Sequence, residues 1–393
     1  MPDNRYLRHE QIDGFSQSRV SSLDILVIGA GAIGNEVIKN LCLLGTGQIT
    51  VFDFDRVERH NLTRSVLLRE SDIGHNKAVS VTNRARELDP GVTVEAVPGD
   101  IHETLSLDRV GRADLVIACT DNFEARIRIN QICWLTGTAW INTAIDSRYG
   151  SVELFPFDRS SNCACYECTL PDSVYARLGE RQSCGGLLKA ALEQQVMPTT
   201  TISTSITAAL ACNEALKHCG CDNRLTTQTE QTEQRELATP ANGGAIRLFT
   251  DTLSGTSSRV TIASASLCAG CGILPANPRL LARVANGNDL AAAVADNAPG
   301  ATDDEVIVLS DKLIWYCACE RCGRQPHTSR FEGRRAASLT DAISICPRCQ
   351  QSAVKIDVRE QFSVRELSER FGERSIPARW GLMGDAIIEF GAN

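Results

Sequence analysis

The chain has 393 residues, of which 43% are hydrophobic and 22% charged, and its formal net charge is -8. This length allows two or three structural units, and we expect one large domain with a smaller appendage. An acidic balance without a run of lysines or arginines argues against a nucleic-acid-binding surface. No segment reaches the roughly 18 apolar residues of a membrane span and no signal-peptide core is present, which predicts a cytoplasmic protein with no membrane partner.

A strand, a glycine-rich turn and a helix are the first clear unit of the chain. Gly29, Gly31 and Gly34 form a GxGxxG pattern after an apolar run, and Asp53 ends a second predicted strand over residues 49–53. Gly29 permits the tight bend, Gly31 lets backbone amides approach a phosphate, and Gly34 lets the helix pack on the strand. Asp53 is placed to accept hydrogen bonds from ribose hydroxyls. The unit predicts nucleotide binding, and alone it fits NAD, FAD or ATP.

Four further motifs follow this unit in order. They are Asp53-Phe54-Asp55, Asn61-Leu62-Thr63-Arg64, Lys77 after a glycine turn, and Thr120-Asp121-Asn122 after an apolar strand. Over about residues 5–272 the chain resembles the superfamily of ubiquitin-activating enzymes and bacterial sulfur-carrier adenylyltransferases, the ThiF/MoeB type. The resemblance points to an activating enzyme for a ubiquitin-like protein. It implies an α/β fold: a doubly wound, Rossmann-like, mostly parallel sheet with a crossover loop and zinc knuckles.

The resemblance also implies roles for charged residues that could otherwise be ordinary exposed charges. Arg64 and Lys77 are expected to stabilise the charge that develops on the phosphates as pyrophosphate leaves, with Asn61 orienting them. Asp121 is expected to hold Mg²⁺ on ATP, although this turn also fits the N-cap of a helix over residues 122–130. The implied nucleotide-binding set is Gly29, Gly31, Gly34, Asp53, Asp55, Asn61, Arg64, Lys77 and Asp121.

The N-terminal segment carries an arginine pair ahead of a predicted short helix over residues 15–23. Composition alone suggests that Arg5 and Arg8 belong to a solvated arm. The resemblance instead matches this segment to an RYxRQ motif, in which the second arginine reaches the ATP of the other subunit. Arg8 is then a catalytic finger and the protein a homodimer, although His9 replaces the usual glutamine.

Seventeen cysteines in a cytoplasmic chain indicate metal binding rather than disulfides. Cys165 and Cys168 form one CxxC unit, and Cys268 and Cys271 form another much later in the chain. Two such units make a tetrahedral four-thiolate zinc site, which is structural because protein fills all four positions. Cys163 is a spare candidate ligand.

The segment between these CxxC units contains Cys184, followed by a Pro-Thr-Thr turn and a predicted helix. The resemblance implies a crossover loop over about residues 170–200 whose cysteine attacks the acyl-adenylate to give a thioester. Cys184 is the expected nucleophile, and an ordinary free thiol is the alternative. Residues 222–243 are polar and low in complexity, which indicates a surface excursion. A hairpin over 246–249 and 258–262 is expected to complete the domain.

The resemblance fades beyond residue 275, so we divide the chain into an adenylation domain, 1–275, and a C-terminal domain, 276–393. Cys319 with Cys322 and Cys346 with Cys349 predict a zinc ribbon in a small α+β domain. Less favoured alternates for these ligands are Cys317 and His327. The appendage is either a metal staple or a docking platform for the carrier protein or a conjugating enzyme.

The predicted function is MgATP-dependent adenylation of the C-terminal carboxylate of a ubiquitin-like, β-grasp carrier protein whose tail ends in small residues. ATP, Mg²⁺ and Zn²⁺ at two sites are the expected cofactors. After adenylation, one route passes a thioester on Cys184 to a conjugating enzyme, and the other is sulfur transfer for molybdopterin- or thiamine-type synthesis. An NAD-dependent oxidoreductase would not explain Arg64, Lys77 and Asp121 together. A noncatalytic zinc scaffold would not explain the nucleotide motif.

Overall fold

The computed structural model describes most of the first 271 residues and part of the remainder. The described residues are 4–105, 107–157, 163–171, 173–174, 199–224, 244–265, 268, 270–271, 306–324, 346, 348–351, 354–363, 365–366 and 388–391. The chain divides into two compact units. The first comprises Met1–Ile101, Val110–Val174 and Gln195–Ala276, and the second comprises His102–Arg109, Tyr175–Gln194 and Asn277–Asn393.

The described helices alternate with strands through the first half of the chain. The helices are α1 (Leu7–Glu10), α2 (Gln17–Val20), α3 (Ala32–Leu44), α4 (Lys77–Leu88), α5 (Ile101–Thr104), α6 (Leu107–Arg112), α7 (Phe123–Thr136) and α8 (Thr201–His218). Short 3-10 turns lie at Arg59–Thr63, Glu70–Asp72 and Tyr166–Thr169. The helix predicted over 15–23 is only the single turn α2. None of the described helices is long and apolar enough to cross a bilayer.

The strands form two separate sheets. They are β1 (Asp24–Ile28), β2 (Gln48–Asp53), β3 (Thr93–Pro98), β4 (Leu115–Ala118), β5 (Trp140–Ile145), β6 (Tyr149–Phe155), β7 (Ile246–Asp251), β8 (Thr256–Thr261), β9 (Val306–Cys319), β10 (Val354–Ser363) and β11 (Ile388–Gly391). The first sheet has the order β3-β2-β1-β4-β5-β6-β7-β8. Its first five strands are mutually parallel, and β6, β7 and β8 are added antiparallel. The predicted hairpin is therefore confirmed as β7 and β8.

The sheet order places the site at one edge. After β1 the chain adds β2 and β3 on one side and then returns to place β4 on the other, so β1 and β4 flank a topological switch point. Ligands of doubly wound sheets bind at the carboxyl ends of the strands at such a point. β1 ends before Gly29, β4 ends three residues before Asp121, and β2 ends at Asp53. The glycine turn, Asp53 and Asp121 therefore lie at this edge.

The parallel strands are buried on both faces because helices cover both faces of the sheet. Successive residues of a strand point to opposite faces, and in β1 both Ile25 and Leu26 are buried. A core cluster on one face joins alternate residues of β1, β2 and β4 to the apolar sides of α3, α4 and α8. Trp140 and Phe155 stack on the other face with ring centroids 5.0 Å apart. The strands that lead to the site are therefore packed on both faces.

The second unit contains an antiparallel three-stranded sheet of order β10-β9-β11 within its described residues. Its longest strand, β9, ends at Cys319, which lies opposite Val354 of β10. The strand end thus leads directly into the CxxC segment that starts at Cys319, as expected for a small sheet built around a metal site.

Candidate nucleotide site and thiolate centres

The glycine turn after β1 contains three glycines with different structural constraints. Gly29 has φ +99°, a conformation that favours glycine, and a Cβ there would lie 2.6 Å from the Cys119 carbonyl oxygen. A Cβ on Gly34 would lie 1.9 Å from the Gly29 carbonyl oxygen, so the helix could not pack this closely. A Cβ on Gly31 would meet nothing within 4 Å. The open space beside Gly31, at the N-terminus of α3, fits a phosphate.

Asn35 fixes this turn, and the sequence reasoning did not identify it. Its side chain is fully buried and donates to the carbonyls of Ala30, at 2.6 Å, and Gly31, at 3.0 Å. Its side-chain oxygen accepts a hydrogen bond from the Leu67 amide at 3.0 Å. An amide side chain among the mostly apolar buried positions of α3 was the signal available in the sequence. Asn35 thus ties the turn to the segment that follows the Asn61–Arg64 motif.

Asp53 lies at the end of β2, as predicted, and is bound to the glycine turn. Its Oδ2 accepts a hydrogen bond from the Ala30 amide at 2.7 Å, and its Oδ1 accepts one from the Asp55 amide at 2.8 Å. Burial raises the pKa of Asp53, while the Ala30 amide and the positive charge of Lys77 oppose that rise. Each carboxylate oxygen has a second lone pair, so Asp53 can also accept from a ribose hydroxyl.

Lys77 and Asp55 meet beside Asp53. The Lys77 Nζ lies 2.8 Å from Asp55 Oδ2, and the lysine side chain is only 12% exposed. Asn76 caps α4 and donates from its side chain to the carbonyls of Asp53 and Asp55, at 3.0 and 3.2 Å. A cation in the first turn of a helix is unfavourable without an anionic partner. Here Asp55 is that partner, and a phosphate could take its place.

Asn61 lies in the 3-10 turn Arg59–Thr63, Arg64 directly follows that turn, and both make local contacts. The buried Asn61 accepts a hydrogen bond from the Glu58 amide at 2.9 Å, and Arg64 Nη1 donates to the His60 carbonyl at 2.8 Å. Among the described residues, no hydrogen bond joins either side chain to Lys77. The structure therefore brings Lys77 to the aspartate pair but leaves Arg64 bound within its own turn.

Asp121 lies just beyond β4 on the carboxyl edge of the sheet and is exposed. The cap of α7 comes from Asn122, whose side chain accepts from the Ala125 amide at 2.8 Å. The helix-cap role considered for this turn thus belongs to Asn122. Within the described part of the chain no hydrogen bond or ion pair occupies the Asp121 carboxylate, which leaves it available as a ligand for a cation.

Arg8 lies on α1, at the far end of α3 from the glycine turn. The Tyr6 ring lies against Gly45, the C-cap of α3, where a Cβ would be 2.4 Å from the ring. Arg5 pairs with Asp89 at the end of α4, with Nε 2.9 Å from Oδ2. Because α3 has 13 residues, its two ends lie about 20 Å apart. The arm thus holds Arg8 away from the glycine turn of its own chain.

The predicted cysteines of the first unit form a compact thiolate cluster. The Sγ atoms of Cys165, Cys168, Cys268 and Cys271 all lie within 4.8 Å of one another. Cys165 Sγ is 3.9 Å from Cys168 Sγ and 3.5 Å from Cys268 Sγ. Four sulfurs around one Zn²⁺ at 2.3 Å are separated by about 3.8 Å, so the cluster fits that ion. Cys163 is not part of the cluster.

The second unit repeats this arrangement. The Sγ atoms of Cys319, Cys322, Cys346 and Cys349 also lie within 4.8 Å of one another, with 3.7 Å between those of Cys319 and Cys349. Cys317 is not part of the cluster, and the other alternate, His327, lies outside the described residues. The donor set again fits a structural zinc ion.

Four other described cysteines have thiols that are poorly suited to nucleophilic attack. Burial is the main reason that the pKa of each is raised to about 12, which keeps the thiol protonated at neutral pH: Cys42, Cys119, Cys212 and Cys219. The predicted nucleophile, Cys184, lies outside the described residues, as do residues 175–198 of the predicted crossover loop and residues 225–243 of the polar excursion predicted over 222–243.

Comparisons with known proteins agree with this architecture. Residues 4–243 match the model of the ThiF family. Over 173 residues the chain is 32% identical to the SAMP-activating enzyme E1 of Haloferax volcanii, a match that covers 43% of this chain and 63% of that protein. Over 163 residues it is 34% identical to the sulfur carrier protein adenylyltransferase of Thermus thermophilus, covering 41% and 60%. The matches therefore span less than two thirds of either relative.

Solved structures extend the likeness at the level of the fold. E. coli MccB with ATP matches with a TM-score of 0.51 and 21% identity, over 69% of this chain and 75% of that one. The microcin C7 biosynthetic enzyme MccB in complex with N-formylated MccA matches with a TM-score of 0.52 and 22% identity, over 69% and 76%. The predicted fold class and the predicted resemblance are both confirmed.

Proposed function

This chain belongs to the ThiF family, and from that premise we propose that it is an ATP-dependent adenylyltransferase acting on the C-terminal carboxylate of a small ubiquitin-like or sulfur-carrier protein. The observation that carries the proposal is the meeting of Asp53, Asp55 and Lys77 at a glycine turn with open space beside Gly31. The relatives named as an adenylyltransferase and an activating enzyme support it.

The reaction needs positioning and charge stabilisation more than acid or base catalysis. A carboxylate oxygen of the carrier attacks the α-phosphorus of ATP, an oxygen–phosphorus bond forms, and the bond to the bridging oxygen breaks as pyrophosphate leaves. The amides at the start of α3 would hold a phosphate beside Gly31, and Asp53 would hold the ribose. The Lys77 ammonium would leave its ion pair with Asp55 and bind a phosphate oxygen instead. Arg64 would first have to leave the His60 carbonyl.

The Asp121 carboxylate is the group we propose for magnesium. It is exposed at the carboxyl end of β4 and free of described partners, and one carboxylate with phosphate oxygens and waters is the usual set for this ion. When bound, Mg²⁺ supplies neutralisation of phosphate charge. Zn²⁺ is proposed at both thiolate clusters, where it would tie together segments distant in the chain.

The placement of Arg8 supports a homodimer. An arginine side chain is far shorter than the about 20 Å length of α3, so the anchored arm cannot bring Arg8 to the glycine turn of its own chain. A second copy of the chain could present it there. We propose that Arg8 acts on the ATP bound by the other subunit.

The fate of the adenylate defines two candidate functions. In the first, the Cys184 thiolate attacks the acyl carbon, AMP leaves, and the thioester passes to a conjugating enzyme. In the second, a sulfur donor attacks the same carbon and AMP again leaves, as in cofactor synthesis. The name of the Haloferax relative favours activation of a ubiquitin-like protein, and that of the Thermus relative favours a sulfur carrier. Both share the adenylation step.

ATP–pyrophosphate exchange tests the shared step. The wild-type chain, Asp121→Ala, Cys184→Ala and the surface control Glu87→Ala would be assayed with ubiquitin-like carriers that end in Gly-Gly. We expect exchange in the wild type and the control, loss in Asp121→Ala, and retention in Cys184→Ala. A thiol-labile carrier adduct present only when Cys184 is intact selects the conjugation route. No carrier-dependent exchange with any carrier contradicts the proposed function.

A further inference from the structure

Glu58, His60 and Asn61 form a closed ring of hydrogen bonds at the 3-10 turn Arg59–Thr63. The Glu58 amide donates to Asn61 Oδ1 at 2.9 Å. The side-chain nitrogen of Asn61, Nδ2, lies 3.1 Å from His60 Nε2. The other ring nitrogen, His60 Nδ1, lies 3.0 Å from Glu58 Oε2 and closes the ring. Asn61 is therefore held at both ends of its side-chain amide.

The partners of the His60 ring fix the position of its proton. A backbone N–H can only donate, so the end of Asn61 that faces the Glu58 amide is its oxygen, and the end that faces His60 is its nitrogen. An amide nitrogen offers only donors, so His60 Nε2 must accept and carries no proton. The proton then lies on Nδ1, where the Glu58 carboxylate accepts it. Both neighbours thus require the same neutral tautomer of His60.

This arrangement leaves one polar hydrogen of Asn61 uncommitted. The side-chain amide has two N–H donors, and His60 Nε2 takes one of them. The second finds no acceptor among the described residues. Asn61 is only 7% exposed, whereas the side chains of His60 and Glu58 are 52% and 68% exposed. The orientation of a buried donor is thus set by a residue at the surface.

The orientation matters because an asparagine amide has two unlike ends. Toward a phosphate the nitrogen donates a hydrogen bond, whereas the oxygen would repel the anionic oxygens. The ring of hydrogen bonds permits only the first of these arrangements. A donor that is fixed before the ligand arrives needs no reorganisation as charge develops on the phosphates.

We propose that His60 is a positioning residue that presents the free N–H of Asn61 to the phosphates of ATP. It does so by accepting from Asn61 Nδ2 while Glu58 holds the proton on its own Nδ1. The inference rests on the proposed function, because it gives Asn61 the phosphate-orienting role expected of an adenylyltransferase of this family. His60 itself acts only through Asn61.

Three replacements of His60 separate this role from general support of the turn. In His60→Gln the side-chain oxygen lies about as far from the backbone as Nε2, so it can still accept from Asn61. The amide of His60→Asn is one bond shorter and replaces Nδ1 but not Nε2. His60→Phe keeps a ring and removes both nitrogens. His75→Phe is the matched control, because His75 is exposed and its side chain has no hydrogen bond among the described residues.

The variants are compared by carrier-dependent ATP–pyrophosphate exchange on the full metal-loaded chain, together with their melting temperatures. His60→Phe and His60→Asn should lower kcat about tenfold, the usual scale for a residue that orients a ligand. The KM for ATP should stay within about twofold, because the Asn61 bond strengthens in the transition state. His60→Gln should keep kcat within about threefold of the wild type, and His75→Phe should match it. Asn61→Ala should lower kcat about 100-fold, and adding His60→Phe to it should slow exchange no further.

Nitrogen NMR of the histidine-labelled protein at about pH 9, where imidazoles are neutral, reads the tautomer directly. The signals that vanish in His60→Phe should be those of an Nδ1–H imidazole. An Nε2–H tautomer, equal losses in His60→Gln and His60→Asn, or a double variant slower than Asn61→Ala would overturn the inference. If Asn61→Ala is inactive and His60→Phe matches the wild type, only the inference fails. A wild-type chain without carrier-dependent exchange would defeat the proposed function as well.

Discussion

Gly31 and Gly34 lie in the same turn, yet the structure predicts opposite results for their replacement by alanine. At Gly34 a Cβ would lie 1.9 Å from the Gly29 carbonyl oxygen, well inside the 3.0 Å that real Cβ atoms keep. The backbone would have to move by about 1 Å, and overpacking of this kind costs about 2 kcal/mol. For a unit of this size the melting temperature should fall by about 4–8 °C.

Gly31→Ala should leave the fold intact but block the nucleotide. The backbone at Gly31, φ -72° and ψ -157°, is open to alanine, and the new Cβ would contact no protein atom within 4 Å. Because alanine is a poorer N-cap residue than glycine, this replacement costs about 0.5–1 kcal/mol of stability, less than the overpacking at Gly34. The methyl group would instead fill the space proposed for a phosphate, and MgATP affinity should fall about 100-fold.

Thermal melting and MgATP titration of both variants separate these effects. Gly244→Ala is a matched control, because its Cβ would meet only the Thr261 methyl at an ordinary 3.6 Å. It should match the wild type in both assays. If Gly31→Ala binds MgATP within threefold of the wild type, no phosphate lies beside Gly31 and the reasoning fails. If Gly34→Ala melts with the wild type, the packing of α3 on the turn is looser than described.

Three other perturbations test separate parts of the site. Lys77→Met removes a positive charge that lowers the pKa of Asp53, so Asp53 should become protonated at a higher pH in this variant. MgATP binding, measured as the pH is lowered, should therefore be lost at a higher pH than in the wild type. Loss of binding at the same pH in both proteins would contradict this. Arg8→Ala and Asp121→Ala should each abolish exchange. Mixing equal amounts of the two variants should restore about a quarter of the wild-type rate, because about half of the dimers are then heterodimers and one of the two sites in each is intact. No recovery after verified mixing argues against action between subunits. Cys268→Ser should reduce zinc from about two equivalents per chain to about one in elemental analysis, and an unchanged content would remove this residue from the ligand set.

The local motifs of the site were readable from the sequence because each depends on neighbours in the chain. Alternating burial, the glycine spacing and Asp53 at a strand end predicted the strand-turn-helix-strand unit. The CxxC units predicted both thiolate clusters, since a short loop presents two sulfurs on one side. The resemblance supplied the order of the remaining motifs and the pairing of CxxC units far apart in the chain.

The tertiary structure decided which groups meet. The pairing of Lys77 with Asp55, the anchoring of the Arg8 arm at the far end of α3, and the hydrogen bond of Asn35 with the Leu67 amide depend on packing between distant segments. No local pattern specifies such contacts, because many sequences with the same periodicity place the same residue types on a helix surface. The sequence alone determined the strand-turn-helix-strand unit, the two sets of clustered cysteines and the family. Only the packing of helices on the sheet decided which of these side chains meet within the first unit, because that geometry is set by its whole core.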